Sequence, residues 1–145
     1  MILYMDSSAL AKRYLSEESS AGVERLVGSA EKVGTSIITR VEVTAALARA
    51  RRHKLLDEEP ATRLRALFAS HWPSLVRLSL HESAIERADA LAWELGLREY
   101  DAVHLASALV WRESITESPL FATFDKALGN AARTQGLDVW PQDLG

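Results

Sequence analysis

At 145 residues the chain fits one domain with a core of its own, residues 1–145, and the absence of cysteine excludes disulfide frameworks and thiolate metal sites. Apolar residues make up 48% and charged residues 26%, as in an ordinary soluble globular protein, and no apolar run approaches the roughly 20 residues of a membrane helix. The formal charge of −3 weighs only weakly against a nucleic-acid partner: 17 basic residues face 20 acids, but only 16 once four candidate site acids are set aside. The opening MILYM lacks a basic start and meets Asp6 too soon for a signal peptide, so a cytoplasmic location without membrane attachment is expected.

Residues 2–6 read as a short buried strand stopping at Asp6, and Ser7 and Ser8 cap a helix through Leu10, Tyr14 and Leu15. A second helix is expected over 21–30, with Val23, Leu26 and Val27 on one face. Gly34 precedes a β-branched strand at 35–38. Thr39 and Glu42 then have capping-box spacing, opening a helix that buries Val43, Ala46, Leu47 and Ala50. Residues 58–70 form an amphipathic helix with Pro60 near its start, and 76–80 alternate as a strand does. Residues 82–95 are helical up to Gly96, and Asp101 opens a strongly apolar helix through Val110. Residues 120–124 form a strand ending at Asp125, 126–134 a helix stopped by Gly136, and 137–140 a last strand. Strands alternating with helices predict an α/β fold with a parallel sheet of about five strands and helices on both faces.

Four acids lie where elements change: Asp6, Glu42, Asp101 and Asp125. Asp6 and Asp125 follow strands, while Glu42 and Asp101 fall in first helical turns, near the positive end of the helix. In a parallel sheet the carboxyl ends of strands share one rim, where ligands bind. Carboxylates gathered there repel one another unless a cation joins them, and hard oxygen ligands favour Mg²⁺ or Mn²⁺. Two acids would bind such an ion directly while the others hold water or a second ion. The expected chemistry is attack of metal-activated water on a phosphoryl group, with an acid accepting its proton. Each acid also has a plainer role: Asp6 as a helix cap, Glu42 as a capping-box member, Asp101 as an N-terminal helix acid, Asp125 as a turn residue.

Ser8 and Thr123 flank this edge as supporting residues; a helix cap and a strand former are their plainer roles. His104 stands three residues after Asp101, on the same side of its helix, and is assigned to packing or hydrogen bonding because no second histidine is spaced for a metal. Arg49, Arg51, Arg52, His53 and Lys54 form a basic cluster, readable as a solvated helix end or as a phosphate contact.

In this order and spacing, Met5-Asp6-Ser7-Ser8, Thr39-Arg40-Val41-Glu42-Val43, Tyr100-Asp101-Ala102-Val103-His104-Leu105-Ala106 and Thr123-Phe124-Asp125 resemble the PIN-domain ribonucleases, in particular the VapC toxins. The resemblance covers nearly the whole chain. It implies a three-layer α/β/α sandwich and a Mg²⁺- or Mn²⁺-dependent endoribonuclease acting on RNA. It carries catalytic and metal-binding roles onto Asp6, Glu42, Asp101 and Asp125, with Asp6 and Asp101 in direct metal contact and Ser8 as polar helper. It also implies a homodimer silenced by a cognate VapB-like antitoxin. The stretch 55–75 has no family marker and is expected to shape the substrate or antitoxin groove. Two other readings compete: a PIN-like module that binds RNA or protein without cleaving, and a Mg²⁺-dependent phosphohydrolase of small substrates. A haloacid-dehalogenase-type phosphohydrolase expects an acid two residues after Asp6, where this chain has Ser8.

Overall fold

The apolar run after Met1 forms strand β1 (Ile2–Met5), and all four of its residues are buried. Side chains alternate across a strand, so a strand buried at every position needs cover on both faces. Ile2 and Tyr4 pack into one core with Leu105, Leu109, Trp111, Phe121 and Leu128. Leu3 and Met5 pack into the other with Leu10, Val23, Val43, Leu47 and Phe68. A computed structural model describes residues 1–143 and supplies the remaining elements.

These are α1 (Ser7–Ala11), α2 (Ser20–Ser29), β2 (Lys32–Ser36), α3 (Thr39–Arg52), α4 (Glu58–His71) and β3 (Val76–Leu78). They are followed by α5 (Glu82–Leu95), α6 (Glu99–Ser114), β4 (Leu120–Ala122), α7 (Lys126–Thr134) and β5 (Val139–Trp140). The five strands form one parallel sheet in the order β3-β2-β1-β4-β5. Helices cover both faces, giving the expected α/β/α sandwich. Helices α5, α6 and α7 supply one core, and α1 to α4 the other. Among the described residues no helix is long and apolar enough to cross a membrane.

Gly34 on β2 lets Trp111 of α6 lie flat against the sheet: a Cβ there would stand 2.6 Å from the indole. Gly96 ends α5 at φ +66°, a left-handed conformation that suits a residue without a side chain.

Three local expectations are corrected. The first helix is only one turn: from Lys12 to Tyr14 the backbone N–H groups bond three residues back, tightening the chain before Tyr14 turns inward to His71. Strand β2 lies at 32–36, not 35–38, because it pairs with β1 from Lys32 onward; Ile37 and Ile38 form the turn. The capping box does not form. Ile38 is the N-cap residue, the Thr39 hydroxyl bonds Thr35 at 2.7 Å, and Glu42 turns to His104. Partners from elsewhere in the fold outcompete the local pairing.

Candidate active site

The sheet order reverses direction at β1: the chain passes from β1 outward to β2 and β3, then returns to β4 on the other side. The crevice at such a switch point, at the carboxyl ends of the strands, is where open parallel sheets bind ligands. Asp6 stands there. Its N–H bonds the Ala122 carbonyl at 3.1 Å, tying it to the end of β4. Its carboxylate is 3% exposed as a residue and fully engaged. Oδ1 accepts from the Ser8 hydroxyl at 2.7 Å and from the Ala9 N–H at 2.9 Å, and Oδ2 accepts from the Thr123 hydroxyl at 2.6 Å.

Those two hydroxyls are aimed from behind. Ser8 Oγ accepts the Phe124 N–H at 2.9 Å, and Thr123 Oγ1 accepts the Asp125 N–H at 3.0 Å. Each oxygen is thus held by the chain leaving β4, with its proton directed at Asp6. Asp125 caps α7 through the Leu128 N–H at 2.9 Å. Its second oxygen accepts from Arg98 Nη2 at 2.9 Å, and Arg98 Nε reaches Asp101 Oδ2 at 3.3 Å. One guanidinium therefore bridges Asp101 and Asp125. Glu42 Oε1 meets His104 Nε2 at 2.7 Å, and His104 Nδ1 meets the Tyr4 hydroxyl at 2.8 Å.

A PIN-domain family model matches residues 3–134. Ribonuclease VapC45 of Mycobacterium tuberculosis is 30% identical over 143 residues, covering 99% of this chain and 97% of that protein. The chain is a PIN domain of the VapC type. Among solved structures it is similar to Mycobacterium tuberculosis VapC20, a sarcin-ricin loop cleaving toxin, with TM-score 0.65 at 19% identity over 90% of this chain and 95% of that one. It is also similar to VapBC2 of Rickettsia felis bound to a promoter DNA fragment, with TM-score 0.65 at 13% identity over 96% and 97% of the two chains. At these identities the structural likeness is one of fold.

Electrostatics link three of the four acids of this PIN domain. Burial pushes the Asp6 carboxyl above its usual range, against His104, the two hydroxyls and the Ala9 N–H, which pull it down. Asp101 is also raised, first by burial and next by Asp125; Arg98 opposes this, and Asp6 adds to it. Asp6, Asp101 and Asp125 thus share one field. Glu42 stands at the other side of His104, the residue that also acts on Asp6.

Among the described residues no three acids or histidines form a ready-made set of metal ligands. The donor chemistry nonetheless suits a hard divalent cation. All four candidates offer carboxylate oxygens, and no protein donor among the described residues reaches Asp101 Oδ1 or Glu42 Oε2. A positive group already sits between Asp101 and Asp125, in the form of Arg98, whose side chain is 75% exposed.

A groove of about 990 Å³ is lined by Glu42, alone of the four acids, and by Ser8. It runs from Ser8 and Glu42 past Val41 and Tyr100 to Arg49 and His53, so part of the basic cluster faces it. Arg51 pairs with Glu58 instead. Of the unmarked stretch 55–75, Leu55 lines the groove; Phe68, Trp72 and Leu75 belong to the core. Arg98 and Tyr4 were not singled out by sequence reasoning. Arg98 carried one signal, its spacing of three from Asp101, whereas Tyr4 sits in an apolar run that reads as core.

Proposed function

We propose that this VapC-type PIN domain, spanning 1–145, is a Mg²⁺- or Mn²⁺-dependent endoribonuclease and the toxin of a toxin–antitoxin pair, acting in the cytoplasm. The observation that carries the reading is the buried Asp6 carboxylate at the sheet's switch point, clamped by Ser8 and Thr123 and sharing a field with Asp101 and Asp125. A buried, oriented carboxylate beside others of like charge is costly to keep, and a bound cation offsets that cost. The names of curated relatives, ribonucleases of the VapC series, give the substrate class.

Asp6 and Asp101 would hold the ion directly, with Glu42 and Asp125 sharing the remaining positions and water. When bound, the ion supplies Lewis acidity toward a phosphoryl oxygen and a water molecule. The chain's own residues do the rest. Ser8 and Thr123 fix both Asp6 oxygens, and an acid not engaged by the ion accepts the proton of the attacking water. Arg49, His53 and Lys12 line the groove and would track the RNA backbone, with Tyr100, 58% exposed, as a stacking surface. The exposed Val41 and Leu55 in the same groove suit the tail of a VapB-like antitoxin, which would compete with RNA. A homodimer, as the resemblance implies, belongs to the same proposal.

The test is cleavage of RNA by purified protein with Mn²⁺, with Mg²⁺ and in EDTA, with sugar phosphates as alternative substrates. The expected result is RNA fragments only with metal, and none from Asp101→Asn that circular dichroism shows to be folded. Cleavage persisting in EDTA, wild-type rates in Asp101→Asn, or turnover of sugar phosphates without RNA cleavage would overturn the proposal.

A further inference from the structure

His104 is 1% exposed, yet both ring nitrogens are engaged, and by groups from two other elements. Nε2 faces Glu42 of α3, and Nδ1 faces Tyr4 of β1. The geometry fixes which nitrogen carries hydrogen. Glu42 Oε1 is a carboxylate oxygen with no hydrogen to give, so the hydrogen of the 2.7 Å contact is on Nε2. In the neutral ring Nδ1 is then the acceptor and takes the Tyr4 O–H at 2.8 Å. Tyr4 is held in turn by stacking on Phe121, with centroids 5.2 Å apart and planes within 10°. The result is a rigid chain from the centre of the sheet to one carboxylate of the candidate site.

We infer that His104 is a positioning residue: locked in one tautomer by the Tyr4 hydroxyl, it holds Glu42 by one oxygen and leaves the other turned to the site. Among the described residues Glu42 has no other side-chain hydrogen bond. Its capping-box partner Thr39 is bonded to Thr35, and its helix neighbour Val41 is 71% exposed. Without the imidazole donor, the carboxylate would be free to follow that exposed turn into the groove. Partners that orient a ligating carboxylate or histidine typically carry tenfold or larger effects on metal affinity.

This inference rests on the metal-site reading proposed above, and the experiment separates the two. Mn²⁺ binding is measured by calorimetry on the full chain without RNA, for wild type, Glu42→Gln, His104→Asn, His104→Gln and Tyr4→Phe. Asparagine offers its amide at the Nδ1 position and reaches only Tyr4, while glutamine offers it near Nε2 and still donates to Glu42. His104→Asn should weaken Mn²⁺ roughly tenfold or more, and His104→Gln should recover most of that loss. Tyr4→Phe keeps the stack on Phe121 and should still weaken Mn²⁺ several-fold. Nitrogen-15 spectra of the imidazole should show the Nε2–H tautomer in wild type and a mixture in Tyr4→Phe, a change that loss of packing does not produce.

Equal loss in the asparagine and glutamine variants would reduce His104 to a packing residue and overturn the inference. A loss in Glu42→Gln, with wild-type affinity in His104→Asn and Tyr4→Phe, would overturn it too while sparing the metal site. Unchanged affinity in Glu42→Gln would remove Glu42 from the site and overturn it as well. Wild-type protein that binds no Mn²⁺ would overturn the metal reading itself. If His104→Asn does not fold, Tyr4→Phe decides alone.

Discussion

Replacing Thr123 with valine tests how the buried carboxylate is held. Thr123 is fully buried and Asp6 nearly so, so water does not replace a lost partner. Valine keeps the shape but removes the donor 2.6 Å from Asp6 Oδ2 and the acceptor 3.0 Å from the Asp125 N–H. A hydrogen bond to a charged group is worth about 1.5–3 kcal/mol, and a stranded N–H adds to the loss, so about 3 kcal/mol should be lost near neutral pH. That loss should depend on pH. The folded Asp6 carboxyl lies above its ordinary 3.8, so the stability linked to it is whole below that value and is lost as pH rises through the folded value. The Thr123 hydroxyl pulls the Asp6 value down, so the variant's value moves further up and more stability is lost at neutral pH. Urea unfolding in EDTA, from about pH 3.5 to pH 7.5, should show a gap between variant and wild type that widens with pH. Thr35→Val is the control. Its hydroxyl bonds the Met5 carbonyl and Thr39, both uncharged, so its cost should stay level across pH. A Thr123→Val gap as flat as that of Thr35→Val would refute the claim that the hydroxyl serves an ionised Asp6.

Arg98→Gln should tighten Mn²⁺ roughly two- to fivefold, and more so at low salt, because the guanidinium that bridges Asp101 and Asp125 no longer competes with the ion. Calorimetry at two ionic strengths reads this, and unchanged or weaker binding would show that Arg98 lies outside the metal's place. Gly34→Ala should lower the urea midpoint by an amount worth about 1–3 kcal/mol, because the new Cβ meets the Trp111 ring at 2.6 Å and the core must shift. An unchanged midpoint would mean that the indole moves aside freely.

What the sequence disclosed follows from which forces are local. Strand β1, the Gly96 stop and the Pro60 helix start are written in short stretches, and the fold keeps them. Strand ends are not local. Ile37, Ile38, Leu80 and Phe124 have strand composition, yet lie beyond the sheet because β3 and β4 are only three residues long and pairing stops where a neighbour stops. The positions of Asp6 and Asp125 after strands were legible because a parallel sheet sends such ends to one rim. Their partners were not equally legible. Thr123 and Ser8 were visible beside the acids, but nothing in one sequence tells that each hydroxyl takes a backbone N–H from behind and spends its proton on Asp6.

Glu42 shows the same limit from the other side. Its spacing from Thr39 is a genuine capping-box spacing, and in an isolated helix the two would pair. In the fold, Thr39 is drawn to a hydroxyl on β2 and Glu42 to an imidazole on α6, because both partners are buried and an unmet buried polar group costs more than an exposed cap gains. The local rule therefore fails where a buried partner from another element claims the carboxylate. Asp6 and Asp125 keep their capping bonds through one oxygen, and the second takes a partner from elsewhere, Thr123 for Asp6 and Arg98 for Asp125. The capping roles of these two acids are thus part of how the rim is built: the cap fixes the backbone, and the second oxygen ties the acid to another element.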